Sequence, residues 1–319
     1  MRRWLVDPVV AACLLLTGCS GGGPFGESLA DVVRGVQGGE CFAAGSGDGF
    51  DITREVPCTR EHAWEVVGTV PLPDGYADAP YRELVGPDGR LTDAVFQPSM
   101  RQCVPMVARA AGLTAALDGV APFGPDALVW PGFSGSVLIV ATPERVWSDA
   151  HALLCAVEWR GPTGKPMPVA SADDEPAIAG FTRPEPPERR VCRTVDAGGD
   201  YRAASCAEPH AAEFLFSYDA AVHGGDVVGR AAPGLLSPDD WAVLDAACQA
   251  AAPAVFGGER ERTDLTIVAD VDERSWGAGA LGPDTHLVAC MAMPSEPGQL
   301  LDGPVWGLGD APAQLAAAS

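Results

Sequence analysis

Ten cysteines constrain this 319-residue chain more than any other feature, because eight of them fall into two ordered sets of four. Cys41, Cys58, Cys103 and Cys155 form the first set; Cys192, Cys206, Cys248 and Cys290 form the second. A similar phrase stands at the same place in each: Cys58-Thr-Arg-Glu-His62-Ala-Trp-Glu65 and Cys206-Ala-Glu-Pro-His210-Ala-Ala-Glu213. No Cys-x-x-Cys pair occurs anywhere. The pattern therefore points to disulfides formed in an oxidising compartment, not to a zinc knuckle or a thioredoxin-like redox motif.

Beyond the cysteines, Pro143-Glu-Arg-Val-Trp147 has an echo in Asp272-Glu-Arg-Ser-Trp276, and Ala152-Leu-Leu-Cys155-Ala-Val157 in His286-Leu-Val-Ala-Cys290-Met-Ala292. Two echoes outside the cysteine frame argue for an internal duplication. The expected fold is α+β: two tandem small disulfide-stapled domains, each a hairpin-rich antiparallel sheet with one packed helix. The copies span residues 38–175 and 188–312, with a linker at 176–187 on the proline-rich, charged stretch around Pro184-Glu-Pro-Pro and a frayed tail at 313–319.

Local patterns fill in each copy. A Gly/Asp-rich stretch from Gly45 to Asp51 predicts a hairpin turn, and counting outward from Gly49-Phe50 sets Cys41 opposite Cys58 within bonding reach. Cys192 and Cys206 lie equally far from Gly199 in the turn Ala197-Gly-Gly-Asp200, so the same pairing is expected there. Trp64–Val70 and Glu213–Tyr218 read as the strands that follow, rich in β-branched and aromatic residues. Met100, Cys103, Val104 and Val107 recur at helical spacing, which turns Cys103 to the core and suggests a bridge to Cys155 in the buried strand Ala152–Val157. Val137–Ala141 reads as a strand and Pro143–Trp147 as a turn. In the second copy Ser237-Pro-Asp-Asp-Trp241 carries a serine cap, a first-turn proline and acids at the positive end of the dipole, which predicts a helix with Trp241, Leu244 and Cys248 on one face. Leu265–Ala269 and His286–Ala292 read as its closing strands.

The N-terminus reads as an export signal over residues 1–18: Met1-Arg-Arg-Trp supplies positive charge, and Val9–Leu16 is an apolar run too short to cross a bilayer. Leu16-Thr-Gly-Cys19 resembles the bacterial lipobox, whose cysteine carries diacylglyceryl. Cys19 is then the expected lipidation site and membrane contact, 19–37 a glycine-rich tether, and the location the outer face of the cell membrane. Cys13 falls in the discarded segment, which leaves four cysteines per copy. The balance of 43 acidic against 21 basic side chains gives a formal charge of -22, which repels nucleic acid and argues against it as a partner.

Three chemistries compete for Cys-x-x-x-His-x-x-Glu. As a structural device, His62 or His210 caps the turn after a bridged cysteine and bonds backbone or the nearby Glu65 or Glu213. As a metal site, the histidine and glutamate are suitable ligand types but too few, with the sulfurs oxidised. As a catalytic pair, Cys58 and His62 would be thiol and base, against which stands the evident bridging partner. No nucleophile elbow, zinc helix or phosphate-cradling loop occurs elsewhere. The structural role is the expectation, with no catalytic residue, no metal and no cofactor.

Cys41-Phe followed by Val56-Pro-Cys58-x-x-x-His62-x-x-Glu65-Val-Val, a helix cysteine and a strand cysteine, repeated as Cys192, Cys206-Ala-Glu-Pro-His210-x-x-Glu213, Cys248 and Cys290, resembles the septum formation domain of actinobacterial envelope proteins. The resemblance implies a location at the envelope and a link to cell division, and it implies no reaction. The expected function is a non-catalytic lipid-anchored envelope protein that binds an envelope protein or wall component; the alternative is a lipoprotein that captures a small molecule, cation or wall fragment between its two domains.

Overall fold

The computed structural model describes residues 38–45, 50–123, 127–147, 151–161, 165–182, 189–195, 201–223, 233–258, 262–271 and 285–318. The expected signal, tether and Cys19 lie outside these residues, as do the Ala197–Asp200 turn, the Asp272–Trp276 echo and residues 183–187 of the expected linker.

The apolar, β-branched runs of the chain become two antiparallel sheets of matching strand order. The first contains β1 (Glu40–Phe42), β2 (Glu55–Val56), β3 (Trp64–Val70), β5 (Gly135–Ala141) and β6 (Leu153–Trp159), in the order β2-β1-β3-β6-β5. The second contains β7 (Val191–Val195), β8 (Tyr201–Ala204), β9 (Ala212–Asp219), β10 (Leu265–Asp270) and β11 (Leu287–Pro294), in the order β8-β7-β9-β11-β10. Each strand thus has a counterpart at the same place in the other sheet. All seven residues of β6 are buried, as expected of a strand paired on both sides and covered on both faces.

A helix covers each sheet. Asp93–Ala110 turns Val95, Met100, Cys103, Val104, Val107 and Ala108 inward, and its exposed side carries the charges. Pro238–Ala250 starts at Ser237 with a complete capping box: the Ser237 hydroxyl accepts from the Asp240 N–H while the Asp240 carboxylate accepts from the Ser237 N–H. Disulfides join Cys103 to Cys155 and Cys248 to Cys290, tying helix to sheet in both halves, and Cys41 to Cys58 and Cys192 to Cys206, tying each hairpin.

Four local expectations need correction. Cys41 stands opposite Val56, not Cys58, and Cys192 opposite Ala204, not Cys206. In both hairpins the chain leaves the ladder before its second cysteine in order to swing into the next strand, so the bridge closes diagonally over the strand end, with Cα atoms 5.2 Å apart in each case. Residues 144–147 form a helical turn, which buries Trp147 so that its indole N–H donates to the Ala79 carbonyl at 2.9 Å. The C-terminal segment is not a frayed tail: β13 (Leu315–Ala317) pairs with β12 (Gln299–Leu301), and the Ala313 N–H donates to Asp264 at 2.7 Å.

The largest departure lies between the halves. Within the Pro- and Gly-rich loop of the first half, β4 (Val129–Pro131) crosses over and pairs with Tyr218, Ser217 and Phe216 of β9. It lies end to end with β7, which pairs with the other end of β9 at Phe214, Glu213 and Ala212. Gly132 makes the crossing possible, since a Cβ there would stand 2.2 Å from the Phe214 carbonyl oxygen. Phe123 packs edge-on against Phe216 and Tyr218, and one apolar core runs through residues of both halves.

Candidate functional site

The repeated phrase folds the same way twice. After each hairpin disulfide the chain turns, and the histidine forms an isolated antiparallel bridge with a later segment: His62 with Val169, His210 with Leu301. Backbone bonds run both ways across each bridge, at 2.9 and 2.9 Å in the first and 2.9 and 2.8 Å in the second. The ring is fixed from behind in both: Nδ1 of His62 lies 2.8 Å from the Arg60 carbonyl and Nδ1 of His210 lies 2.8 Å from the Glu208 carbonyl. A carbonyl only accepts, so Nδ1 carries the hydrogen in each ring.

Three residues after the histidine, as the second residue of the next strand, comes the glutamate. Glu65 is wholly buried and wholly satisfied: Oε1 meets His62 Nε2 at 2.7 Å and the Ala177 N–H at 2.7 Å, and Oε2 accepts from the Ile178 N–H at 2.9 Å. The carboxylate therefore pins a segment 112 residues downstream to the start of β3. Glu213 is wholly buried as well and accepts from the Val305 N–H at 2.6 Å through Oε2. The donors follow a proline in both halves, Pro176-Ala177-Ile178 and Pro304-Val305. Ala177, Ile178 and Phe181, expected in the linker 176–187, are instead buried, because the Glu65 carboxylate holds this segment against β3; Pro304-Val305 has no role assigned from the sequence, since a proline with an apolar neighbour is the only signal it carries.

The two pins differ in electrostatics. His210 Nε2 and Glu213 Oε1 are buried with no hydrogen-bond partner among the described residues. Burial lowers the His210 pKa, opposed by the Glu208 carbonyl and Asp302, which leaves the ring neutral with a lone pair on Nε2. Burial pushes the Glu213 carboxyl up to about 7, against the opposing pull of the Arg190 guanidinium and the Val305 N–H. Arg190 is itself buried where the halves meet: its guanidinium lies over Phe181 at 4.3 Å and Trp306 at 5.4 Å from the ring centroids, and Nη2 donates to the Phe181 carbonyl.

Cys58 is joined to Cys41 and Cys206 to Cys192, so the sulfur of the thiol–imidazole pairing sits in a bridge in both halves. The geometry of the phrase is that of a polar clamp, holding turn, strand and a distant segment together.

A second feature is a cavity of about 580 Å³ along β5, lined by Tyr81, Val85, Leu91, Phe96 and the strand residues Leu138 to Ala141, with Arg90 and Asp93 beside them. β5 is the outermost strand of its sheet, and among the described residues no strand pairs with its free edge. The cavity belongs to the first half alone; the halves themselves meet through packed aromatic rings around Arg190.

Residues 135–290 match the family described as septum formation, from the first residue of β5 to Cys290 in β11. The matched span takes in Cys155, the whole second set of cysteines, His210 and Glu213. No curated protein and no solved structure matches the chain. Among the described residues, no helix is long and apolar enough to cross a membrane.

Proposed function

We propose that this chain, which carries a septum formation domain, is a non-catalytic protein of the cell envelope, held to the membrane by diacylglyceryl on Cys19 and engaged in septum formation through a protein or wall partner. The family match over residues 135–290 carries the reading. The clamps support it, since both copies of the repeated phrase are spent on holding the fold together and their sulfurs are bonded. The halves are tandem copies of one domain, a reading supported by the matching strand order and the matching histidine bridges.

Docking falls to the free edge of β5, where unpaired backbone groups beside an apolar cavity favour an extended segment of a partner added as a further strand. The same cavity favours a second reading, capture of a small apolar ligand, with the site in the first half. Crosslinking from a photoreactive residue placed at Val140 in living cells tests both. A protein neighbour that is lost with Val140→Pro, together with displaced septa on depletion, supports the partner reading. Normal septa on depletion would remove it.

A further inference from the structure

Both hairpin disulfides have a histidine ring nitrogen against them. In the second half Sγ of Cys192, Sγ of Cys206 and a ring nitrogen of His210 lie within 4.8 Å of one another; in the first half the same holds for Sγ of Cys41, a ring nitrogen of His62 and a carboxylate oxygen of Glu65. All of these residues are buried. The second cluster has the properties of a ligand set for a thiophilic divalent cation. Its imidazole is held from behind by an Nδ1–H bond to the Glu208 carbonyl, the outer contact that fixes a metal-binding histidine in the right tautomer. Its Nε2 lone pair is buried and gives up no hydrogen bond on coordinating. Only the sulfur–sulfur bond keeps it from having two thiolates.

We propose that Cys192, Cys206 and His210 form a redox-gated cation site, closed while the disulfide is intact and open to zinc once a dithiol has reduced it. The dithiol passes two electrons and two protons to the bridge and becomes a disulfide itself; zinc then displaces the two thiol protons to solvent and takes two thiolates and Nε2. Tetrahedral zinc holds such ligands about 3.6–3.8 Å apart, so the cluster reaches it by small side-chain shifts, with one position left for water. The cation would keep the β7–β8 hairpin tied to the start of β9 after its sulfur bridge is lost. In the first half Glu65 already occupies His62 Nε2, so that cluster binds second and more weakly.

The test is anaerobic titration of the full chain with Co²⁺ and then Zn²⁺, before and after reduction by excess dithiol and its removal. The expected result is that the reduced chain gives thiolate-to-cobalt charge transfer and tetrahedral d–d absorption at the first equivalent, which zinc abolishes, while the oxidised chain gives neither. His210→Ala weakens the first equivalent about 10- to 100-fold or more, and His62→Ala leaves it unchanged. Zinc restores protease resistance to the reduced chain and fails to do so for His210→Ala. The proposal falls if the reduced chain takes up no stoichiometric cation against a competing chelator, if the oxidised chain binds equally, or if His210→Ala binds and refolds like the parent, as an unfolded chain of thiols would.

Discussion

The two buried glutamates show how one residue type can carry opposite consequences. Glu65 accepts from two backbone N–H groups and faces His62, whereas Glu213 accepts from one and leaves Oε1 without a partner. Glu65→Gln turns an amide N–H₂ toward a backbone donor, and is expected to cost about 1–3 kcal/mol in denaturant unfolding. Glu213→Gln has the reverse sign above neutrality. The Glu213 pKa rises from 4.5 to about 7 on folding, so its share of stability is complete below 4.5 and is lost as pH climbs to about 7. The glutamine variant does not lose that share, and at pH 8 it should unfold about 3 kcal/mol later than the parent, with no gain at pH 4. An equal effect at both pH values would exclude the titration of Glu213 as the cause. The phrase itself was legible in the sequence; the inequality was not, because it depends on Arg190 and Val305, far along the chain.

Among elements, those with local causes were read well. The Pro238–Ala250 helix begins where its serine, proline and acids place it, and Ser237→Ala should cost about 1 kcal/mol, measured as a shift of the chemical-denaturation midpoint. Removing the capping hydroxyl without effect would mean that packing of Leu244 and Cys248 alone sets the helix start. Strands β3, β6 and β9 follow their apolar runs within two residues of expectation. The hairpin register was misread because counting from a glycine assumes a symmetric loop, while the next strand draws the chain out of the ladder early. β12 and β13 escaped notice for another reason: Gln299–Leu301 and Leu315–Ala317 are three-residue strands whose pairing partner, not their composition, makes them strands.

At the scale of the molecule, β4 was invisible because Val129-Trp-Pro131 has no periodicity and its partner lies more than eighty residues ahead. With β4 on β9 and one core across both halves, unfolding is expected as a single calorimetric transition. Gly132→Ala should lower its midpoint by about 1–3 kcal/mol in stability, since the added methyl meets the Phe214 carbonyl. Two resolved transitions in the parent would show that the halves melt independently. The borrowed strand also sets an order of events in time. β4 precedes β9 along the chain, so in a chain delivered N-terminus first the earlier half can present a ready-made stave to which the later sheet is fitted. Were the gene rearranged to put the second half first, that sheet would have to close around a gap and wait.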